Sequence, residues 1–206
     1  MSSLPNPKKC ILLEVARRGL TLAVERGEFL ESLPPEREKD EDLAQPAGAF
    51  VTLHRRGRLR GCIGQLPSGV PLIGVVAYCA RAAALDDPRF DPVRPEELAE
   101  IDIEISVLSN PENVTPQRIE IGRHGLLVSN AGRRGLLLPQ VAVQFGWDAK
   151  RFLEETCVKG GLDRNAWTES STRVQAFTAE IFTESMLALG AASEPARPKP
   201  GYSSST

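Results

Sequence analysis

The stretch Leu59-Arg60-Gly61-Cys62-Ile63-Gly64-Gln65-Leu66 sets a thiol between two glycines, after a run of arginines at 55, 56, 58 and 60. The thiolate is the reactive form of cysteine, and nearby cations favour it over the thiol. Gly61 and Gly64 have no Cβ, so they admit a close backbone or ligand. Cys62 is therefore a candidate nucleophile, and Arg60 a candidate fork for a carboxylate or phosphate. A tight turn beside a solvated arginine strip would need the same residues, and that reading stands beside the first.

Other candidates are scattered along the chain. His124, in Gly122-Arg123-His124-Gly125, is a candidate general base, with a loop hydrogen bond as the alternative. Asp87 and Arg89 fit an ionic wall of a ligand site, or a turn stapled by its own ion pair with Phe90 in the core. Gln140, after Pro139 at an expected helix start, can orient a ligand or cap the helix. The cysteines, Cys10, Cys62, Cys79 and Cys157, form no C-x-x-C pair and have no adjacent histidine. No metal site follows from that spacing, and no cofactor is expected. Cys10, Cys79 and Cys157 read as packing residues on helices.

These residues must be positioned by a scaffold, and 206 residues suffice for one sizeable core. A formal net charge of -2 gives no global field of the kind that marks nucleic-acid proteins. No apolar run approaches the roughly 20 residues of a membrane span, and the first residues lack a signal-peptide cleavage pattern. A cytoplasmic location is expected. Asn6-Pro7 reads as the start of an amphipathic helix stopping at Gly27. Residues 34–48 read as a charged, solvated loop. Arg56-Gly57 joins two strands in a hairpin, and strict alternation predicts Arg58, Arg60 and Cys62 on one face.

A helix is predicted to about Leu85, then a strand alternating Ile101, Ile103, Ile105 and Val107 with polar residues. A second hairpin turns at Asn130-Ala131-Gly132, its apolar runs suiting strands covered on both faces. Helices follow from Pro139 and from Asp148, the latter stopping at Gly160-Gly161, and 174–182 reads as one strand. Residues 1–190 read as one continuous unit and 191–206 as a disordered tail.

Five segments occur in this order: Leu59-Arg-Gly-Cys-Ile-Gly64, Asp87-Pro-Arg-Phe90, Gly122-Arg-His-Gly-Leu126, Gly135-Leu-Leu-Leu-Pro-Gln140 and Phe152-Leu-Glu-Glu-Thr-Cys157. In them the chain resembles the AMMECR domain family over about residues 6 to 189, departing at Gln65 and in the charged loop. The resemblance implies an α+β fold of two unequal lobes around a cleft, with a largely antiparallel sheet and flanking helices. It also implies a pathway shared with a Memo-type protein and a radical S-adenosylmethionine protein, without naming a reaction. Three functions remain open. One is an enzyme using Cys62, Arg60 and His124 on a small anionic or modified substrate. Another is a partner-binding module without chemistry. The third, nucleic-acid binding through the arginine strip, is disfavoured because no stacking aromatics accompany the arginines.

Overall fold

The computed structural model describes residues 3–29 and 40–193. Helix α1 (Asn6–Arg26) starts after Pro5 and ends at Gly27, whose left-handed conformation presents its N–H to the last turn. Strands β1 (Gly48–Arg55) and β2 (Arg58–Gln65) form the expected hairpin, with Arg56 and Gly57 both at positive φ. Helix α2 (Leu72–Leu85), a 3-10 turn (Pro95–Glu100) and strand β3 (Ile101–Leu108) follow. Strands β4 (Glu112–Asn113), β5 (Gly125–Asn130) and β6 (Arg133–Leu137) lead to helices α3 (Pro139–Gln144) and α4 (Ala149–Lys159). The chain closes with β7 (Arg173–Phe177), β8 (Ala179–Thr183) and α5 (Glu184–Ser193).

Two antiparallel sheets result, ordered β2-β1-β3-β8 and β4-β7-β5-β6, so the fold is α+β. Alternation decides what each face of the first sheet meets. Ala49, Val51 and Leu53 of β1, Ile103 and Ile105 of β3 and Phe182 of β8 are buried in one cluster with Leu12, Leu20, Leu72, Val76 and Cys79 of the helices. The second sheet packs Leu126 against Phe152 and Leu153 of α4. The sheets meet where Phe50 and Leu108 of the first pack with Leu127 and Phe177 of the second.

The structure corrects several sequence-based expectations. The 174–182 segment is two strands, not one; it breaks at Thr178, and β7 and β8 belong to different sheets. Alternation within β1 and β2 is interrupted by a shift between Leu53 and His54, which pairs Leu53 with Gly61 but His54 with Leu59. Arg60 is left unpaired and its side chain leaves the face that carries Cys62. The second hairpin is covered on both faces along β5, where residues 125–128 are all buried, but only partly along β6, where Leu136 and Leu137 are half-buried against different clusters. Cys10 is exposed, not packed. Leu43, inside the expected solvated loop, is fully buried, and its N–H donates to Asp40 Oδ1 at 3.3 Å. Residues 34–39 of that loop and 194–206 of the expected tail lie outside the described residues, while α5 continues through 191–193.

Gly61 sets how closely α2 approaches the sheet. A Cβ there would stand 2.0 Å from the Ala83 carbonyl oxygen, a backbone atom that cannot swing away. Gly61→Ala should lower the unfolding free energy by roughly 1–3 kcal/mol in urea titrations. Gly74→Ala, inside α2 with its nearest contact at 3.5 Å, should be neutral or stabilising by up to about 1 kcal/mol. Equal effects at the two sites would refute the packing argument.

Candidate functional site

Cys62 lies in β2, the edge strand of the first sheet. An edge strand leaves alternate N–H and C=O groups without a neighbour. At Cys62 both are occupied by side chains of the loop after α2. Its N–H donates to Asp87 Oδ2 at 2.8 Å, and its carbonyl accepts from Arg89 Nη2 at 3.3 Å. Asp87 is only 5% exposed and also accepts from Arg89 Nε at 3.0 Å and Nη2 at 2.7 Å. The Arg89 guanidinium beside Asp87 holds that carboxyl down at about 2, against the opposing effect of burial. The sequence-based pair is thus both a self-stapled turn and a clamp on the Cys62 backbone. Phe90 is half-buried, with the Arg89 guanidinium 5.5 Å from its ring centre.

Because the Cys62 backbone groups point outward, Cys62 and its partner Thr52 form a non-hydrogen-bonded pair, the kind with the closer side chains. Thr52 Oγ1 donates to Cys62 Sγ at 3.3 Å. Burial pushes the Cys62 thiol up; Thr52 and Arg89 oppose the rise, while Asp87 and Glu104 add to it. The thiol therefore rests protonated near neutral pH, not as the thiolate that its arginine neighbours implied. Cys79, buried behind the sheet, is pushed up to about 12 by burial, and burial also raises Cys157, which packs among Val128 and Ala166.

Arg60 stands apart from the thiol. Its Nε and Nη2 hold Glu97 at 3.0 and 2.9 Å, and it donates to the carbonyls of Asp91 and Pro92. Glu97 is 4% exposed and also accepts from Arg55, and Arg60 above all holds its carboxyl down at about 2. Arg55 and Arg56 pair with Glu100. Three of the four arginines in the strip are thereby neutralised within the protein.

His124 and Gln140 belong to the second sheet's surroundings. His124 Nδ1 accepts the Glu120 N–H at 3.1 Å, the loop bond foreseen as its alternative role. With Asn110, Glu112, Gln117, Arg118 and Arg123 it lines a cavity of about 780 Å³ whose lining includes neither Cys62 nor Arg60. Gln140 is exposed in the first turn of α3. Gly64 lies under the Phe50 ring, where a Cβ would come within 2.2 Å.

The structure adds residues that the sequence reading passed over. Register places Cys62 opposite Thr52, Thr52 opposite Glu104 and Glu104 opposite Thr183, one row across the sheet face turned away from the helices. His54, two residues along β1 on that face, sets Nε2 3.6 Å from Glu104 Oε2. The signal was present: polar residues alternate with apolar ones in β1 and β3 alike. Only the register, which sequence does not reveal, unites them. Among the described residues no group of three or more His, Cys, Asp or Glu is arranged to hold a metal.

The clamp has a pH signature. Asp87 has a folded-state value below its ordinary 3.8, so its contribution is complete above that value and is lost as pH falls toward 2. Asp87→Asn should cost about 1–3 kcal/mol at pH 7 in urea unfolding. That deficit should shrink as the pH of the titration approaches 2. A deficit constant across the range would show that the charge is not what matters.

Comparison with known proteins agrees with this architecture. The AMMECR1 family model matches residues 13–182. A protein of Thermococcus gammatolerans is 44% identical over 184 residues, covering 84% of this chain and 88% of its own. One of Methanothermobacter thermautotrophicus is 48% identical over 147 residues, 68% of this chain and 77% of its own. The crystal structure of the uncharacterized protein PH0010 from Pyrococcus horikoshii superposes with a TM-score of 0.75 at 40% identity, covering 84% of this chain and 89% of that one. A family match across most of the chain, joined to relatives matched over most of their own length and a shared fold, shows that the chain belongs to the AMMECR1 family.

Proposed function

We propose that this AMMECR1-family domain binds and transforms a small anionic or modified substrate on the sheet face that carries Cys62, between its two lobes. The observation that supports this most directly is the fixing of Cys62. A buried carboxylate and a guanidinium hold its backbone, and Thr52 touches its sulfur. A thiol so constrained is oriented before a substrate arrives, which is how binding geometry lowers a barrier. Arg89 spends Nε and Nη2 on Asp87, and its side chain is 55% exposed, so the rest of its fork can meet a substrate carboxylate or phosphate. Arg60, bound to Glu97, acts in this reading on the scaffold, and His124 belongs to the separate cavity.

The setting follows from the family resemblance: a cytoplasmic protein sharing a pathway with Memo-type and radical S-adenosylmethionine proteins. A partner-binding role without chemistry is the second reading. It is favoured by Val143 and Phe145, 59% and 61% exposed, the latter stacked on Trp147 at 4.9 Å. Large apolar groups left exposed at one helix end are candidates for a contact surface.

Limiting iodoacetamide followed by peptide mapping separates the two. In the folded protein Cys62 should react well ahead of buried Cys79 and Cys157, with exposed Cys10 as the reference thiol. Its rate should still be climbing as pH passes 9.0, the ordinary thiol value, because the folded protein raises it. If Cys62 reacts as slowly as Cys79, the nucleophile role fails and partner binding replaces it.

A further inference from the structure

The geometry points to a proton acceptor for Cys62: the His54 imidazole, oriented by Glu104, with the Thr52 hydroxyl in contact with the thiol. This rests on the proposed nucleophile role and adds the base that a neutral thiol requires. His54, Thr52, Cys62 and Glu104 come from three adjacent strands and share the face not covered by helices. Thr52 lies directly between Cys62 and Glu104 in the row. His54 follows Thr52, the partner of Cys62, by two residues on the same face, across the register shift at Leu53/His54. Its ring is 30% exposed and faces a Glu104 carboxylate 24% exposed, so the pair is open to solvent and substrate yet held on a rigid sheet. A carboxylate beside an imidazole fixes the ring and stabilises the imidazolium it becomes, the logic of nucleophile–base–acid constellations on unrelated folds.

The groups around this constellation are few. Asp87 and Arg89 approach Cys62 from the loop after α2, and Cys79 from the helix side of the sheet. Asp102, opposite His54 on β3, is engaged by the N–H and hydroxyl of Ser185. Glu104 is the acid next to the imidazole. In alkylation by iodoacetamide the Sγ–C bond forms and the C–I bond breaks. Iodide leaves with the electron pair, and the thiol proton passes to His54.

Charge alone and proton transfer predict opposite signs, which makes the test decisive. Glu104 opposes ionisation of Cys62, so by charge alone Glu104→Gln would speed alkylation. As the partner of an accepting imidazole, Glu104 instead makes Glu104→Gln slower. At pH 7.5 we expect His54→Gln and Glu104→Gln each to slow Cys62 alkylation roughly tenfold or more. Glu104→Asp should recover part of the rate, and all variants should react alike when unfolded in urea. A Glu104→Gln rate equal to or above wild type overturns the inference, as does an unchanged His54→Gln; should one variant fail to fold, the other decides. A wild-type Cys62 as slow as Cys79 overturns instead the nucleophile reading beneath it.

Discussion

The edge of the first sheet is the constraint from which the site follows. A β-strand with no neighbour leaves backbone donors and acceptors bare, inviting water or another chain. Here Asp87 and Arg89 stand in for the missing strand at one residue, Cys62. Their own ion pair keeps Asp87 charged although it is buried, which a lone carboxylate in that place would not sustain. The outward aim of the Cys62 backbone, which the clamp satisfies, also decides that its side chain meets Thr52 closely. One interaction therefore fixes backbone, thiol direction and polar neighbour.

The opposite face of the same strand is set by volume. Gly61 lets the Ala83 carbonyl lie almost against the chain, so α2 packs tightly behind the residue whose neighbour carries the sulfur. The two glycines of the motif consequently serve different contacts, Gly61 a helix backbone and Gly64 the Phe50 ring. Neither contact is with the thiol. Of the close approaches that the sequence allowed at these glycines, a backbone or a ligand, the structure fills both positions with scaffold.

How much was legible depended on the range of the physics involved. Local signals read well: the Arg56-Gly57 turn, Asp148 accepting the Arg151 N–H at the start of α4, and the Ile101 to Val107 alternation. The family was legible too, because five motifs in order leave few other interpretations. Non-local facts did not read. A single shift at Leu53/His54 sends Arg60 to Glu97 and leaves Cys62 with Thr52, and no propensity announces a bulge. Burial also reversed the sign of the expected effect on the thiol, since desolvation outweighs neighbouring cations when the arginines are already paired. His54 and Glu104 were visible only as members of separate strands. Register alone made them neighbours.

The break at Thr178 has a meaning for how the molecule is made. β8 completes the first sheet beside β3, yet the chain reaches it only after the whole second sheet has been laid down. The crossing is latched by mutual bonds, Ser109 N–H to the Thr178 carbonyl and Thr178 N–H to Ser109 Oγ, both at 2.9 Å. Just beyond β8, Glu184 reaches back to Arg17 on α1, closing the first helix with the last. A nascent chain emerging N-terminus first thus carries an unfinished sheet, its β3 edge unpaired, until nearly all residues are synthesised. The first sheet borrows its last strand from the far end of the chain, and the second lies in the loop that this borrowing closes.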